Sequence, residues 1–226
     1  MVRAEGVTDA DALVVFDLDG VLTRRDTLTA LILRAACRSP WRLARVPGAL
    51  FTVARHGQDA PRRAAAVGRI VTVLFAGRRA AEVDAWCAQV GTRAVTSPRW
   101  ARPELVAEYR RLRQSGRRIV VASATEERIA RAVLKAAGLT SEAVQGSRIT
   151  TSGGRAELAV YNYGPRKLRS LQEDGYDLTR ATLYTDSRSD LPVASAARRT
   201  VLVAPSRATL EAMTGLGART RVWSAG

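Results

Sequence analysis

Histidine and cysteine are scarce in this sequence. His56 is its one histidine, and it lies away from every carboxylate-rich motif, so we expect a surface or loop residue rather than a catalyst. Cys37 and Cys87 are the only cysteines, which is too few for a disulfide framework. We therefore expect a reducing, cytoplasmic location and two cysteines that pack in the interior.

Long hydrophobic runs are missing as well. The most apolar stretches, residues 30–37 and 70–77, are short and are interrupted or bounded by Arg34 and Arg69. Neither approaches the ~20 residues that a helix needs to span a bilayer. The first residues also lack the basic start and apolar core of a signal peptide. The sequence predicts no transmembrane helix.

Lysine is rare, whereas positive charge is abundant. The formal net charge is +15, and Lys135 and Lys167 are the only lysines among 36 basic residues. Such a charge indicates an anionic partner or reflects coding bias. The arginines form no dense block and do not alternate with aromatic residues, so we predict no nucleic-acid partner. Phosphorylated substrates or anionic lipids fit better.

The order of the patterns predicts an α/β protein. Apolar runs at residues 12–16, 118–122, 181–184 and 200–203 are typical of buried parallel strands. Helical patterns at 103–114 and 126–137 each close at a glycine. Residues 147–158, with Gly153-Gly154 in the middle, predict a β-hairpin. Strands alternating with helices predict a doubly wound parallel sheet.

A helical insertion interrupts this alternation. Residues from about 27 to 97 contain helical stretches that begin after Asp26, Ser39 and Asp59, and no credible strand. We predict an all-helical cap domain, residues 27–97, and a core domain, residues 1–26 and 98–226. An insertion directly after the first strand would cover the carboxyl ends of the strands, where ligands bind in open α/β sheets.

Carboxylates follow two of the predicted strands. Asp17 and Asp19 stand two residues apart after the first strand, and Asp186 and Asp190 follow the strand at 181–184. Either pair alone is a weak signal. If all four converge, a cation must offset their charge, and oxygen ligands are what Mg²⁺ prefers. Ser123 and Lys167, each at the end of another element, offer a hydroxyl and a cation for a phosphoryl group.

These residues, in this order, resemble the haloacid dehalogenase superfamily. The similarity covers Phe16-Asp17-Leu18-Asp19-Gly20-Val21, Ser123, Lys167 and the late Asp-x-x-x-Asp, over about residues 12–205. The helical cap, the Gly-Gly hairpin and the Asp-Ser-x-x-Asp-x-Pro motif at residues 186–192 resemble the phosphoserine-phosphatase-like branch. The resemblance implies a Rossmann-like core.

The resemblance also implies a two-step phosphoryl transfer. Asp17 would attack phosphorus and form an aspartyl phosphate, and Asp19 would act first as general acid and then as base. Mg²⁺ would be held by Asp17, the Asp19 carbonyl, Asp186 and Asp190, and Ser123 and Lys167 would hold the phosphoryl oxygens. Asp19 argues against the ATPases of the superfamily, which have threonine there, and makes dehalogenation a poor fit.

Several alternatives stay open. Thr185 replaces the commoner glycine before Asp186, so a catalytically silent member that binds a phosphorylated ligand or an anionic membrane is one of them. Asp26 is either a substrate contact, as in phosphoserine phosphatases, or a helix N-cap. Residues 39–55 mix apolar residues with arginines, which indicates a packing face of the cap or a peripheral membrane contact. A lipid-linked phosphate leads the substrates, ahead of small metabolites such as phosphoserine.

Overall fold

The computed structural model describes residues 13–56 and 59–223, and its centre is a seven-stranded sheet of order β4-β3-β2-β1-β5-β6-β7. β3 and β4 form an antiparallel hairpin, and the other neighbouring strands are parallel. The predicted doubly wound sheet with a hairpin is confirmed. The strands are β1 (Leu13–Phe16), β2 (Arg118–Glu126), β3 (Ala143–Ser152), β4 (Arg155–Val160), β5 (Thr182–Thr185), β6 (Arg199–Leu202) and β7 (Thr220–Val222).

β1 lies at the middle of the sheet and sets the position of the residues that follow it. All four of its residues are buried, as its unbroken apolar run predicts. Phe16, its last residue, is in register with Val121 of β2 and Tyr184 of β5. The chain therefore leaves these three strands at one edge of the sheet. Ala12, which the prediction included in this strand, lies outside the described residues.

Helices pack on the sheet and fill the connections. The predicted helix 103–114 is confirmed as α5, and α6 begins one residue later than predicted because Glu126 is its N-cap. The helices are α1 (Thr27–Arg38), α2 (Pro47–Arg55), α3 (Ala60–Leu74), α4 (Ala80–Thr96), α5 (Pro103–Gln114), α6 (Glu127–Ala137), α7 (Pro165–Glu173), α8 (Leu191–Ala196) and α9 (Arg207–Met213), with short 3-10 helices such as Pro40–Arg45.

Residues 27–56 and 59–97, which lie between β1 and α5, form helices joined by short loops and contain no strand, as predicted. Asp26 and Asp59 cap α1 and α3 by accepting hydrogen bonds from backbone N–H groups. Apolar residues of these helices, such as Leu31 and Ile70, share one core with Phe16 of β1. The insertion therefore packs directly over the sheet.

The two cysteines differ in their exposure. Cys87 is buried, but Cys37 is exposed, so its predicted interior position is wrong. Cys37 lies near the end of α1, whose buried side is formed by Leu28, Leu31 and Ala35. Among the described residues, no helix has the length and apolar character to cross a membrane.

Candidate active site

Asp17 is fixed by the sheet itself. It directly follows β1, and its backbone N–H donates a 2.9 Å hydrogen bond to the carbonyl of Tyr184 in β5. Its Oδ1 accepts a 2.7 Å hydrogen bond from the N–H of Leu18. Burial, together with the neighbouring carboxylates of Asp190, Asp186 and Asp19, raises the pKa of Asp17 by more than Lys167 lowers it.

Lys167 stands between two carboxylates. It belongs to the first turn of α7 and is 2% exposed. Its Nζ lies 3.3 Å from Oδ2 of Asp17 and 2.7 Å from Oδ1 of Asp190. Burial lowers the pKa of Lys167, but the two carboxylates outweigh it and leave the pKa above its usual value. The lysine is therefore a buried cation beside the first aspartate.

The carboxylate of Asp19 is held by Thr23 and by Thr27, the first residue of α1. Its Oδ1 accepts a hydrogen bond from the Thr23 hydroxyl at 3.1 Å, and its Oδ2 accepts from the N–H and hydroxyl of Thr27 at 3.0 and 3.2 Å. Burial and then the charge of Asp26 raise the pKa of Asp19 to about 8, although the bonds from Thr27 oppose the shift. The carboxyl group is therefore held in place at the insertion side of the site.

Asp186 and Asp190 reach the same site from the loop after β5. Burial and then the charge of Asp190 raise the pKa of Asp186 to about 6. Asp190 is fully buried, and its Oδ2 accepts a 2.7 Å hydrogen bond from the hydroxyl of Thr185. The same hydroxyl oxygen accepts the N–H of Ser187 at 3.0 Å. Thr185 therefore fixes the loop that carries both aspartates.

Gly20 allows Asp186 to approach the first motif. Its φ is +78°, a conformation that residues with a side chain rarely adopt. A Cβ atom at this position would lie 2.0 Å from Oδ2 of Asp186. The space beside the Gly20 backbone is therefore occupied by the Asp186 carboxylate, and only glycine is compatible with both features.

Ser123 lies within β2 and is nearly fully buried. Its Oγ accepts the N–H of Thr125 at 3.2 Å. The buried Asn162 donates from Nδ2 to the carbonyls of Ser123 and Gln145, and its Oδ1 accepts the hydroxyl of Ser170 in α7. Asn162 thus ties the strand that carries Ser123 to the helix that carries Lys167, a role that sequence reasoning missed.

A cavity of about 510 Å³ opens above these side chains. Asp17, Ser123, Lys167 and Asp186 line it at the edge of the sheet, together with Asp19. The opposite wall comes from α1, α2 and α3 and is largely apolar; it includes Leu28, Ile32, Leu33, Leu50, Val53, Val67 and Ile70. The cavity therefore joins a charged floor to an apolar wall.

Charged residues also line the cavity. Asp26 lines the cavity, and its Oδ1 accepts the N–H of Thr29 at 2.6 Å, so the N-cap alternative is confirmed. Arg63 donates from Nε to the hydroxyl of Tyr161 at 2.8 Å and lies over the ring of Tyr163. Sequence reasoning missed this arginine, because nothing along the chain indicates that α3 meets the segment after β4.

An exposed apolar surface continues from this wall. It consists of Leu33, Trp41, Leu43, Leu50 and Phe51, and we call it the apolar surface. Trp41 is 69% exposed and Phe51 is 59% exposed, so the interpretation of residues 39–55 as a packing face is wrong at these positions. Leu33 and Leu50 belong to both the apolar surface and the cavity wall. The surface therefore leads into the cavity.

The donor set at the cavity floor suits a hard cation. Asp17 and Asp186 line the floor with carboxylate oxygens, whereas the carboxylate of Asp19 accepts hydrogen bonds from Thr23 and Thr27. Over residues 13–56 and 59–223, no three side chains of His, Cys, Asp or Glu form a ready metal site. Two carboxylates with oxygen donors only are of the kind that Mg²⁺ accepts when main-chain carbonyls and water complete its coordination.

Comparison with known proteins identifies relatives of this chain. The family model of haloacid dehalogenase-like hydrolases matches residues 14–195. A probable phosphatase of Mycobacterium tuberculosis is 34% identical over 98 residues, which is 41% of this chain and 33% of that protein. The matched part therefore spans only about a third of that curated relative.

Solved structures share the fold. A protein of unknown function from Bordetella pertussis gives a TM-score of 0.72 at 21% identity, over 96% of this chain and 99% of that chain. A substrate-bound phosphoserine phosphatase gives a TM-score of 0.60 at 13% identity, over 89% of this chain and 90% of that chain. At such identities the likeness concerns the fold.

Proposed function

Because the chain belongs to the haloacid dehalogenase-like hydrolase family, we propose that it is a phosphatase that cleaves phosphomonoesters with Asp17 as nucleophile. The observation that carries the proposal is the pairing of Asp17 with Lys167, at 3.3 Å, on the floor of a cavity that also contains Ser123 and Asp186. An anionic nucleophile needs nearby positive charge and hydrogen-bond donors to receive an anionic phosphate.

In the first step a carboxylate oxygen of Asp17 forms a bond to phosphorus, and the bond from phosphorus to the ester oxygen breaks. Asp19 donates a proton to the departing alkoxide. In the second step Asp19 accepts a proton from water, which attacks phosphorus and releases inorganic phosphate from Asp17. Thr23 and Thr27 orient Asp19 through the bonds described above.

Lys167 and Ser123 would bind the phosphoryl oxygens. Mg²⁺ would be held by Asp17, the Asp19 carbonyl and Asp186, with Asp190 contributing directly or through water. When bound, it supplies positive charge that lets the anionic nucleophile and the phosphate approach each other. Asp190 would also hold Lys167, since the two side chains are 2.7 Å apart.

The substrate in this proposal carries an apolar group on its phosphate. The helices of residues 27–97 would act as a cap domain over the core formed by 1–26 and 98–226, although residues 1–12, 57–58 and 224–226 lie outside the described part of the chain.

The apolar cavity wall supports a lipid-linked phosphate over phosphoserine, because a zwitterionic amino acid gains nothing from contact with Ile32, Leu50 or Ile70.

A peripheral membrane contact belongs to the same proposal. Leu33 and Leu50 of the apolar surface also line the cavity. The sequence has no acidic residue between Asp26 and Asp59, whereas arginines of this stretch, at positions 38, 45 and 55, are exposed. Exposed aromatic and aliphatic residues among arginines are typical of surfaces that enter anionic bilayer interfaces. A phosphorylated lipid would then reach Asp17 without leaving an apolar environment.

The first experiment measures phosphate release from p-nitrophenyl phosphate with Mg²⁺. We expect turnover by the wild-type protein and none above background by Asp17→Asn. Asp177→Asn makes the same isosteric change at an exposed aspartate, the N-cap of the 3-10 helix Leu178–Arg180, and should leave turnover unchanged. Equal, slow release by the wild-type protein and Asp17→Asn would overturn the proposal and favour a silent binding protein.

The second experiment compares substrates. Alkyl monophosphates of increasing chain length should be hydrolysed with kcat/KM rising by about fourfold per methylene while the chain still fits the apolar wall. Phosphoserine should be a poor substrate. A flat series, or phosphoserine as the best substrate, would refute the lipid-linked assignment while leaving the phosphatase assignment in place.

The third experiment measures membrane contact by co-sedimentation with vesicles. Binding to phosphatidylglycerol vesicles is expected, with loss in the double variant Trp41→Ser/Phe51→Ser. Leu210→Ser/Val222→Ser removes two exposed apolar residues elsewhere and should bind as the wild type does. No sedimentation with anionic vesicles, or equal loss in both variants, would contradict the proposed contact.

A further inference from the structure

A second cavity, of about 590 Å³, lies on the face of the sheet beside α5, away from Asp17. It extends to the amino ends of the strands, since Thr182 and Arg199, the first residues of β5 and β6, line it. The residues described above as the candidate active site follow the carboxyl ends of the strands. The two cavities share no lining residue.

The wall of this second cavity is dominated by arginine. Seven of its twelve lining residues are arginines, and no Asp or Glu is among the twelve. Arg111 has a carboxylate partner, because its guanidinium donates to Glu108 at 2.7 and 2.8 Å. The remaining arginines of the wall are Arg117, Arg180, Arg198, Arg199, Arg219 and Arg221.

The fold gathers these arginines from distant parts of the chain. Arg117, Arg198 and Arg219 come directly before β2, β6 and the short strand β7, and Arg180 comes two residues before β5. The amino ends of parallel strands meet at one edge of a sheet, so arginine at each entry position produces one cluster. An arginine-rich composition explains how many arginines there are, but not why seven of them line one cavity with Glu108 and Asp177 as nearby carboxylates.

We propose that this cavity binds a small polyanion that carries several phosphate groups. Guanidinium groups bind phosphate oxygens through paired, charge-assisted hydrogen bonds, and several of them around one concave site can contact several phosphates at once. The volume suits a small molecule rather than a protein surface. A bound polyanion would also offset the mutual repulsion of the arginines.

Nucleic acid fits the same wall less well. Single-stranded nucleic acid is held by basic grooves that also present aromatic rings for base stacking. The one aromatic residue of the wall, Tyr184, has its ring stacked on Phe16 at 4.4 Å, and its hydroxyl donates to Glu108 at 2.9 Å. The Tyr184 side chain is buried, so its ring is not available to stack on a base.

Calorimetric titration of the full chain with inorganic tripolyphosphate tests the proposal. We expect saturable binding by the wild-type protein and a loss of about tenfold or more in Arg180→Gln/Arg198→Gln, because each removes a charge-assisted contact. Arg131→Gln/Arg207→Gln is the matched control, since it removes the same charge from exposed arginines that pair with Glu127 and Glu211. If Arg180→Gln/Arg198→Gln does not fold, the same titration is made on a second double variant, Arg199→Gln/Arg219→Gln, for which we expect the same loss of affinity.

Three results would overturn the proposal. The first is no saturable binding of tripolyphosphate by the wild-type protein. The second is equal weakening in the cavity variants and in Arg131→Gln/Arg207→Gln, which would show a general effect of net charge. The third is cavity-dependent binding of a single-stranded oligonucleotide with none of tripolyphosphate. None of these results bears on turnover at Asp17, so this proposal and the proposed phosphatase activity fail independently.

Discussion

The ammonium group of Lys167 lies 2.7 Å from Oδ1 of Asp190, with both side chains buried. Removing one partner of a buried ion pair leaves the other charge uncompensated. We expect Lys167→Met to lower the free energy of unfolding by about 3–5 kcal/mol and to abolish phosphatase turnover. Urea unfolding without added metal measures the first effect. Lys135→Met, which changes the only other lysine and an exposed one, should do neither, and equal losses in both variants would contradict the pairing.

Gly20→Ala should displace Asp186. The new Cβ would lie 2.0 Å from Oδ2 of Asp186, so the carboxylate has to move. We expect loss of turnover and weaker Mg²⁺ activation. Gly175→Ala is the control for backbone strain, since Gly175 has φ +79° with no atom within 4 Å of the added Cβ. Both variants should lose about 1–2 kcal/mol of stability from the left-handed conformation, but only Gly20→Ala should lose activity.

Thr185 is a positioning residue for Asp190. Thr185→Val keeps the shape but removes the hydroxyl, so Oδ2 of Asp190 loses a hydrogen-bond donor and the N–H of Ser187 loses its acceptor. We expect a loss of about 1–3 kcal/mol in stability and a lower kcat at unchanged KM. Thr185→Ser should restore both, because it keeps the hydroxyl. If Thr185→Ser behaves as Thr185→Val does, the hydrogen bond is not the reason for threonine at this position.

The environment of Glu108, which lies outside the candidate active site, should make the free energy of unfolding depend on pH. Hydrogen bonds from Arg111 and then Tyr184 lower the pKa of Glu108 below its ordinary value of 4.5, against the effect of burial. Because the folded-state pKa is the lower one, the stabilisation is complete above pH 4.5 and is lost as the pH falls through the folded-state pKa.

Unfolding free energies of Glu108→Gln and the wild type, measured from pH 7 to pH 3, test this dependence. The wild type should be more stable by about 1 kcal/mol at pH 7, and the gap should narrow on acidification. Glu211→Gln, at an exposed pair with Arg207, should show no such trend. A gap that widens towards low pH would contradict the assigned sign.

Sequence patterns were sufficient for the central strands and the core helices. The apolar runs that became β1, β5 and β6 are buried on both faces, and α5 begins at a proline and ends before Gly116, as its pattern predicts. β7 was missed because its three residues are largely exposed and become a strand only by pairing with β6. β2 proved longer than predicted, since it continues past an irregularity after Ala122.

The candidate site shows the same division. The order of Asp17, Ser123, Lys167 and Asp186 along the chain was enough to expect them at one edge of the sheet. Sequence spacing did not predict that Asp19 accepts hydrogen bonds from Thr23 and Thr27, because these bonds depend on how the loop after β1 folds. It also did not predict the position of Asn162, whose partner Ser123 is distant in the chain. Trp41 and Phe51 were misjudged because an amphipathic pattern does not say whether another element covers the apolar side.

The most direct test of the central claim is to trap the phosphorylated nucleophile. Borohydride reduces an aspartyl phosphate to homoserine. With p-nitrophenyl phosphate as substrate, Asp19→Asn should let the intermediate accumulate, because p-nitrophenolate leaves without a proton whereas hydrolysis of the aspartyl phosphate lacks its base. Peptide mass spectrometry after treatment with substrate, Mg²⁺ and borohydride should find homoserine at position 17, and none when substrate is omitted. Turnover by the wild type with no modification at Asp17, or with the modification at another residue, would contradict the account.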